Sequence, residues 1–352
     1  MSVGRFLQQA AAGNAGDPVY VEDVFSTDLY LNNSSTSITI NNGINLSENG
    51  GLIWGKRRDG GGGGNEPALY DTERGLQYEL HSSGNSAQFD RSGSYTVPTA
   101  TTTGCTTGNV SRLNGGTGEP QVLWTFRKQP GFFDIVTYTG DGAFNGATQT
   151  INHNLGTTPG MIIFKRTDAG GTNWIVAHRS LSTNQAILLN STAAPYNVSP
   201  TFDYVSNFTD TTFTVHRASD ATLSTNAPSS SMVAYLFAHD AQDFGTDSDE
   251  SIIKCGSYTG DGASSQDISL GWEPQWLLIK QPSVSSDWYM FDNMRGVVTG
   301  GNDALLDANT ADAETANFDR YNFNADGFSA VFDNVSGRPY IYVAIRRPHK
   351  PA

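Results

Sequence analysis

At 352 residues the chain has room for two or three domains of ordinary size. Only 16% of it is charged and 37% hydrophobic, with Gly, Ser, Thr and Asn filling the difference, yet 18 Phe, 14 Tyr and 6 Trp are too many for a disordered chain. A net charge of -14 argues against nucleic-acid binding through a general basic field, and no apolar run approaches the ~18 residues of a membrane-spanning helix.

Residues 3–12 form the clearest helical candidate. Phe6, Leu7, Ala10 and Ala11 fall on one face, and Gly13 supplies a stop. So short a helix is marginal alone and must dock, either as a cap on the first module or as an anchor in a neighbouring subunit through Phe6 and Leu7. It is too polar for a signal peptide.

Beyond it the chain states one theme three times. Repeat one opens with alternating strands at Leu29-Tyr-Leu31 and Thr36 to Ile40, and then reaches an apolar run ending in basic residues, Leu52-Ile-Trp-Gly-Lys-Arg57. Five glycines, Gly60 to Gly64, follow as a loop. No Gly-Lys-Ser/Thr comes after them, so they do not read as a phosphate cradle. Repeat two carries Tyr138-Thr-Gly-Asp-Gly142 and Met161-Ile-Ile-Phe-Lys-Arg166. Repeat three carries Tyr258-Thr-Gly-Asp-Gly262 and Trp276-Leu-Leu-Ile-Lys280. Each repeat closes on an apolar strand, at Val122 to Arg127, Met232 to Phe237 and Tyr340 to Arg346. Many short strands between frequent turn signals predict an all-β fold of three tandem jelly-roll-like β-sandwich modules with a short N-terminal helix. The expected boundaries are 1–23 for the docking segment and 24–130, 131–245 and 246–352 for the modules.

Candidates for chemistry are sparse. Asp71-Thr-Glu-Arg-Gly75 and Asp292-Asn-Met-Arg-Gly296 each set an Arg three residues after an Asp, which suits a charge-assisted pair across a turn, with ligand recognition as the alternative. The Gly-Asp-Gly turns lack the ordered ligands of a calcium loop. Asp247 to Glu250 reads as an acidic linker rather than a cation site. Cys105 and Cys255 sit in different repeats without CxxC spacing, and read as free thiols suited to a reducing cytoplasm. There is no Gly-x-Ser-x-Gly elbow and no His-Glu-x-x-His. Trp54, Trp174, Trp276 and Trp288 lie in apolar strings and read as core. Tyr196, Trp272 and Tyr321, in turn-rich stretches, are the candidates for stacking on a sugar.

The strings Tyr138 to Gly142, Ile151-Asn-His-Asn-Leu-Gly156, Met161 to Arg166, Asn173-Trp174 and His178 resemble a repeated module in virion proteins of tailed phages, common among phages of marine bacteria and cyanobacteria. Repeat one is similar through Gly51 to Lys56, Tyr70 to Gly75 and Trp124 to Lys128. The resemblance covers most of 24–348 and brings no catalytic residues. Repeat three departs from it at Ser269 to Pro274 and has no counterpart of His178. It implies a non-enzymatic virion protein, assembled in the host cytoplasm without cofactor or metal. Such a protein would be a tail appendage or fibre-associated component; capsid decoration or a host-glycan adhesin are the alternatives. The expected partners are other virion subunits, a host surface glycan or further copies of the chain, and neither nucleic acid nor a membrane.

Overall fold

The computed structural model describes residues 17–34, 37–60, 65–143, 147–182, 184–197 and 204–351. The helix expected over 3–12, with Phe6 and Leu7, lies outside them, as do Gly61 to Gly64.

The fold is all-β. The first module runs through β1 (Phe25–Leu31), β2 (Thr39–Asn41), β3 (Gly51–Arg57), β4 (Ala68–Asp71), β5 (Tyr78–His81), β6 (Phe89–Asp90), β7 (Thr99–Thr101), β8 (Gly104–Thr106) and β9 (Pro120–Arg127). The second repeats the series with β10 (Phe133–Thr139), β11 (Gln149–Asn152), β12 (Met161–Arg166), β13 (Ile175–His178), β14 (Gln185–Leu188), β15 (Tyr196–Asn197), β16 (Val205–Ser206), β17 (Thr212–Val215) and β18 (Ser231–Phe237). The third has β19 (Ile253–Thr259), β20 (Gln266–Ser269), β21 (Pro274–Lys280), β22 (Trp288–Asp292), β23 (Leu306–Asp307), β24 (Tyr321–Asn324), β25 (Gly327–Ala330) and β26 (Pro339–Arg346).

Each module is a sandwich of one large antiparallel sheet and one of three strands. The large sheets read β1-β9-β3-β4-β5-β6, β10-β18-β12-β13-β14-β15 and β19-β26-β21-β22-β23. The small ones read β2-β8-β7, β11-β17-β16 and β20-β25-β24. In every large sheet the closing strand of the module lies between the first strand and the apolar-to-basic strand.

The central strands explain the long apolar runs. An antiparallel strand with one face in water alternates apolar and polar residues. Yet β12, β18, β21 and β26 are buried at nearly every position, whereas β1 and β10 alternate toward their exposed ends. The large sheets are covered twice, by their own small sheet and by a neighbouring module. Local cores therefore form inside module one (Ile40, Ile53, Tyr70, Leu113) and module three (Leu277, Phe291, Tyr321, Phe328). A larger core joins all three modules at their inner faces. There Phe126 meets Phe237 edge-on at 5.9 Å and Trp276 at 5.6 Å between ring centres. Each fully buried ring of this kind contributes about 1.5–3 kcal/mol by leaving water, so the junction of the modules is as much a hydrophobic core as any sandwich interior.

The segment before β1 runs beside the joint between modules two and three. Gly245 N–H donates to the Val19 carbonyl at 3.0 Å, and Tyr20 Oη bonds Thr246 Oγ1 at 2.8 Å. Among the described residues, no helix is long and apolar enough to cross a membrane.

Candidate functional site

The chemistry-bearing side chains converge on the seams between modules, and they do so in rotation. Lys56, Lys165 and Lys280 end the apolar runs of β3, β12 and β21 in the same register, opposite Val122, Val233 and Ile341. All three are buried. Lys56 Nζ donates to the carbonyls of Asp307 at 2.6 Å and Thr310 at 2.9 Å, in module three. Lys165 Nζ reaches the Asn85 carbonyl of module one at 3.5 Å and Thr172 O at 2.6 Å. Lys280 Nζ donates to Ser191 O of module two at 3.2 Å and to Ser286 O. Each lysine thus crosses into the loop after the fifth strand of the module before it in the cycle. Burial lowers Lys165 and Lys280 to about 8; the carbonyl acceptors are what make a buried ammonium tolerable.

A second set runs the other way around the ring. Arg74 Nε donates to Asp71 Oδ2 at 2.6 Å, and Tyr235 of module two donates its hydroxyl to the same oxygen at 2.7 Å. Arg295 Nε donates to Asp292 Oδ2 at 2.6 Å, and Trp124 of module one donates its indole N–H there at 3.1 Å. Tyr235 and Trp124 hold the same register position in their closing strands. The Asp-x-x-Arg strings are therefore turn-stabilising pairs that also grip the next module. In module two the equivalent residue is His178. Its Nδ1 accepts from Ser180 N–H at 3.2 Å, so Nε2 carries the hydrogen and donates to the Tyr342 carbonyl of module three at 3.1 Å. Burial holds this imidazole down at about 4.

The Gly-Asp-Gly turns are locked from outside. Asp141 N–H and carboxylate bond the side-chain amide of Asn226 at 3.0 and 2.8 Å, and Asp261 does the same with Asn334 at 3.0 and 2.7 Å. Gly142 and Gly262 take φ of +73° and +79°, which explains the glycine. Module one has this turn too, in disguise: Asn33 N–H and side chain bond Asn114 at 2.9 and 3.0 Å. Tyr30, Tyr138 and Tyr258 close the three turns by donating to the carbonyls of Leu113, Thr225 and Asp333 at 2.7, 2.6 and 2.7 Å.

The stacking candidates divide. Tyr196 is exposed at 43%. Trp272 and Tyr321 are not surface platforms: they are buried in the core of module three, at 7% and 0%, so neither offers a ring to a sugar. The turn residues around them made them look exposed, but the two sheets close over both. Trp54, Trp174, Trp276 and Trp288 are buried. Both cysteines are free and buried. Glu250 of the acidic linker pairs with Arg346. One cluster has no precursor in the sequence reading. Glu79, buried in module one, accepts from Tyr70, Arg91 and His81. Burial opposes its charge, but the bonds from His81, Arg91 and Tyr70 outweigh that and hold it at about 2.

A family model described as a domain of unknown function, DUF7483, matches residues 21–348. The chain belongs to this family. The match takes in all three modules, so the unit that the DUF7483 family represents is the whole ring rather than one sandwich. No curated protein and no solved structure matches.

Proposed function

We propose that the chain is a non-enzymatic structural protein of a phage virion, a tail appendage or fibre-associated component that docks on other virion subunits through the outer faces of a closed three-module body. The observation that carries this reading is the rotation of contacts just described. The lysines, the Asp–Arg pairs and His178, the groups that would be sought first for chemistry, are committed to holding one module against the next. Such a body has threefold character in a single chain and suits a threefold site on a particle. The likeness of its strings to tailed-phage virion modules supplies the setting. Capsid decoration is the alternative position.

A host-glycan adhesin is the second reading, and it draws on exposed aromatics. Tyr196 is one. Phe318 and Phe332 are others, exposed and stacked at 4.3 Å between centroids, with the Arg320 guanidinium 5.4 and 5.0 Å from their rings. The deciding test compares the full chain with a version lacking residues 1–16, for binding to particles assembled without the protein and to host cells. Particle binding by the full chain supports the structural reading, and its loss in the shortened chain assigns the anchor to the N-terminal segment. Inertness toward particles, together with glycan binding that Phe332→Ala abolishes, would replace the structural reading with the adhesin.

A further inference from the structure

We propose that module two carries a binding site for a small organic anion with an apolar body, in a cavity that module three fills with its own side chains. The inference does not rest on the virion reading.

The cavity measures about 370 Å³ and lies between the start of β12, the end of β13 and the segment 204–208. Its size falls within the range of small-molecule sites, whereas packed interiors seldom hold voids much larger than a water molecule. Its origin is visible in the register of module three. Thr157 stands two residues before Pro159, as Trp272 stands before Pro274. Ala177 precedes His178, which pairs with Met161, as Phe291 precedes Asp292, which pairs with Trp276. Val205 pairs with Val215 as Tyr321 pairs with Ala330, and those partners lie opposite Gln149 and Gln266 in turn. Trp272, Phe291 and Tyr321 share one buried cluster, with the last two rings 5.1 Å apart. Module one places the buried Tyr70 at the position of Ala177. The three large rings of module three stand as Thr, Ala and Val in module two, while module one keeps a ring at one of these positions, Tyr70. Backbones relax only partly around such a loss, so the space stays open.

The chemistry of the lining selects the guest. Ala177, Val205 and Phe208 give an apolar wall. Among its polar side chains, Arg179 and His239 carry N–H donors beside the hydroxyls of Thr157, Thr158 and Ser182. The Arg179 side chain is exposed and has no hydrogen-bond or ion-pair partner among the described residues. His239 accepts from Cys255 N–H at 3.2 Å through Nδ1, which leaves the hydrogen on Nε2. Both nitrogens of His178 are already bonded, so it offers only its ring. Among the described residues no Asp or Glu lines the cavity, although the chain has 35 acidic residues against 21 basic. A guanidinium with no partner among the described residues, beside an apolar wall, fits a carboxylate through charge-assisted bonds.

The probe is 4-phenylbutyrate, with its uncharged amide as control, titrated into the full chain by calorimetry and followed by ligand-observed NMR. For about a dozen non-hydrogen atoms a Kd near 1 mM is expected, with the amide roughly tenfold weaker for loss of the charged partner. Arg179→Gln should erase the difference between acid and amide. Thr157→Trp, which restores the residue of module three, should abolish binding of both; Ala177→Phe does the same work from the cavity wall should Thr157→Trp melt early. Absence of carboxylate binding at about ten times that concentration, equal binding of acid and amide to the unmodified chain, or binding that survives both filling substitutions would overturn the proposal.

Discussion

Two seams of the ring are closed by a buried Asp–Arg pair that holds a ring from the next module, and the third by a neutral imidazole. The slot is the same in each case, the last residue of the fourth strand. What persists is the pattern of bonds: one to a backbone N–H two or three residues on, and one across the seam. At Asp71 and Asp292 the carboxylate accepts from Tyr235 and Trp124. At the third seam the facing position is Val343, which has no polar atom, and His178 donates instead to the neighbouring carbonyl of Tyr342. The direction of the hydrogen bond reverses while the geometry stays. A seam therefore demands that its polar groups be satisfied, and it leaves open which partner carries the hydrogen.

The comparison breaks most visibly at Asp292. Asp292→Ala removes the nearer carboxylate of the buried Arg295 guanidinium, leaving Glu314 at 3.3 Å, and should cost about 3 kcal/mol, against under about 2 kcal/mol for His178→Ala, which strands only neutral groups. Urea midpoints measure both, and equal losses would mean that charge is not what separates the seams. The next effect comes from acid. His178 is held at about 4 when folded against 6.5 when free, so the unfolded chain binds the extra proton first. This linkage costs nothing above pH 6.5 and withdraws stability as pH falls toward 4, on the order of 3 kcal/mol in full. Melting temperature against pH should show the slope, and His178→Gln should flatten it. Trp124→Phe keeps the ring and removes its N–H, and should cost about 1.5–3 kcal/mol as a bond to a charged acceptor; calorimetric melting would reveal a smaller loss if Asp292 re-pairs. The smallest effect belongs to Arg58 and Glu314, a partly exposed two-bond pair between modules one and three. Arg58→Ala should cost under about 1 kcal/mol, and less as salt rises.

The sequence made the strands and their triplication legible because the apolar-to-basic runs and the closing strands are local patterns. It hid the ring because each seam joins residues far apart in the chain, such as Trp124 and Asp292, and no spacing announces them. The turn of module one was hidden by chemistry: Asn33 stands where Asp141 and Asp261 stand, and Ser34 takes φ of +58° where the others use glycine. The lysines at the ends of the runs were seen, but a basic residue after an apolar strand reads as the start of a solvated loop unless a neighbour covers it. Trp272 and Tyr321 failed for the opposite reason, since turn residues on either side suggested water where the second sheet lies. The cavity at Thr157, Ala177 and Val205 could have been suspected only by setting module two against module three in register, and that register needs the strand pairing.

Joining the three modules in one polypeptide has an evolutionary consequence. In an assembly of identical subunits every substitution appears at all three positions, so a change that opens one interior opens three and a seam must suit itself. Here each position is written separately in the gene. One copy can carry Thr, Ala and Val where another carries three rings, and one seam can hold an imidazole while the other two hold carboxylates. The tether also keeps the modules at high mutual concentration however dilute the protein becomes, so a copy that packs less well is still held in its place.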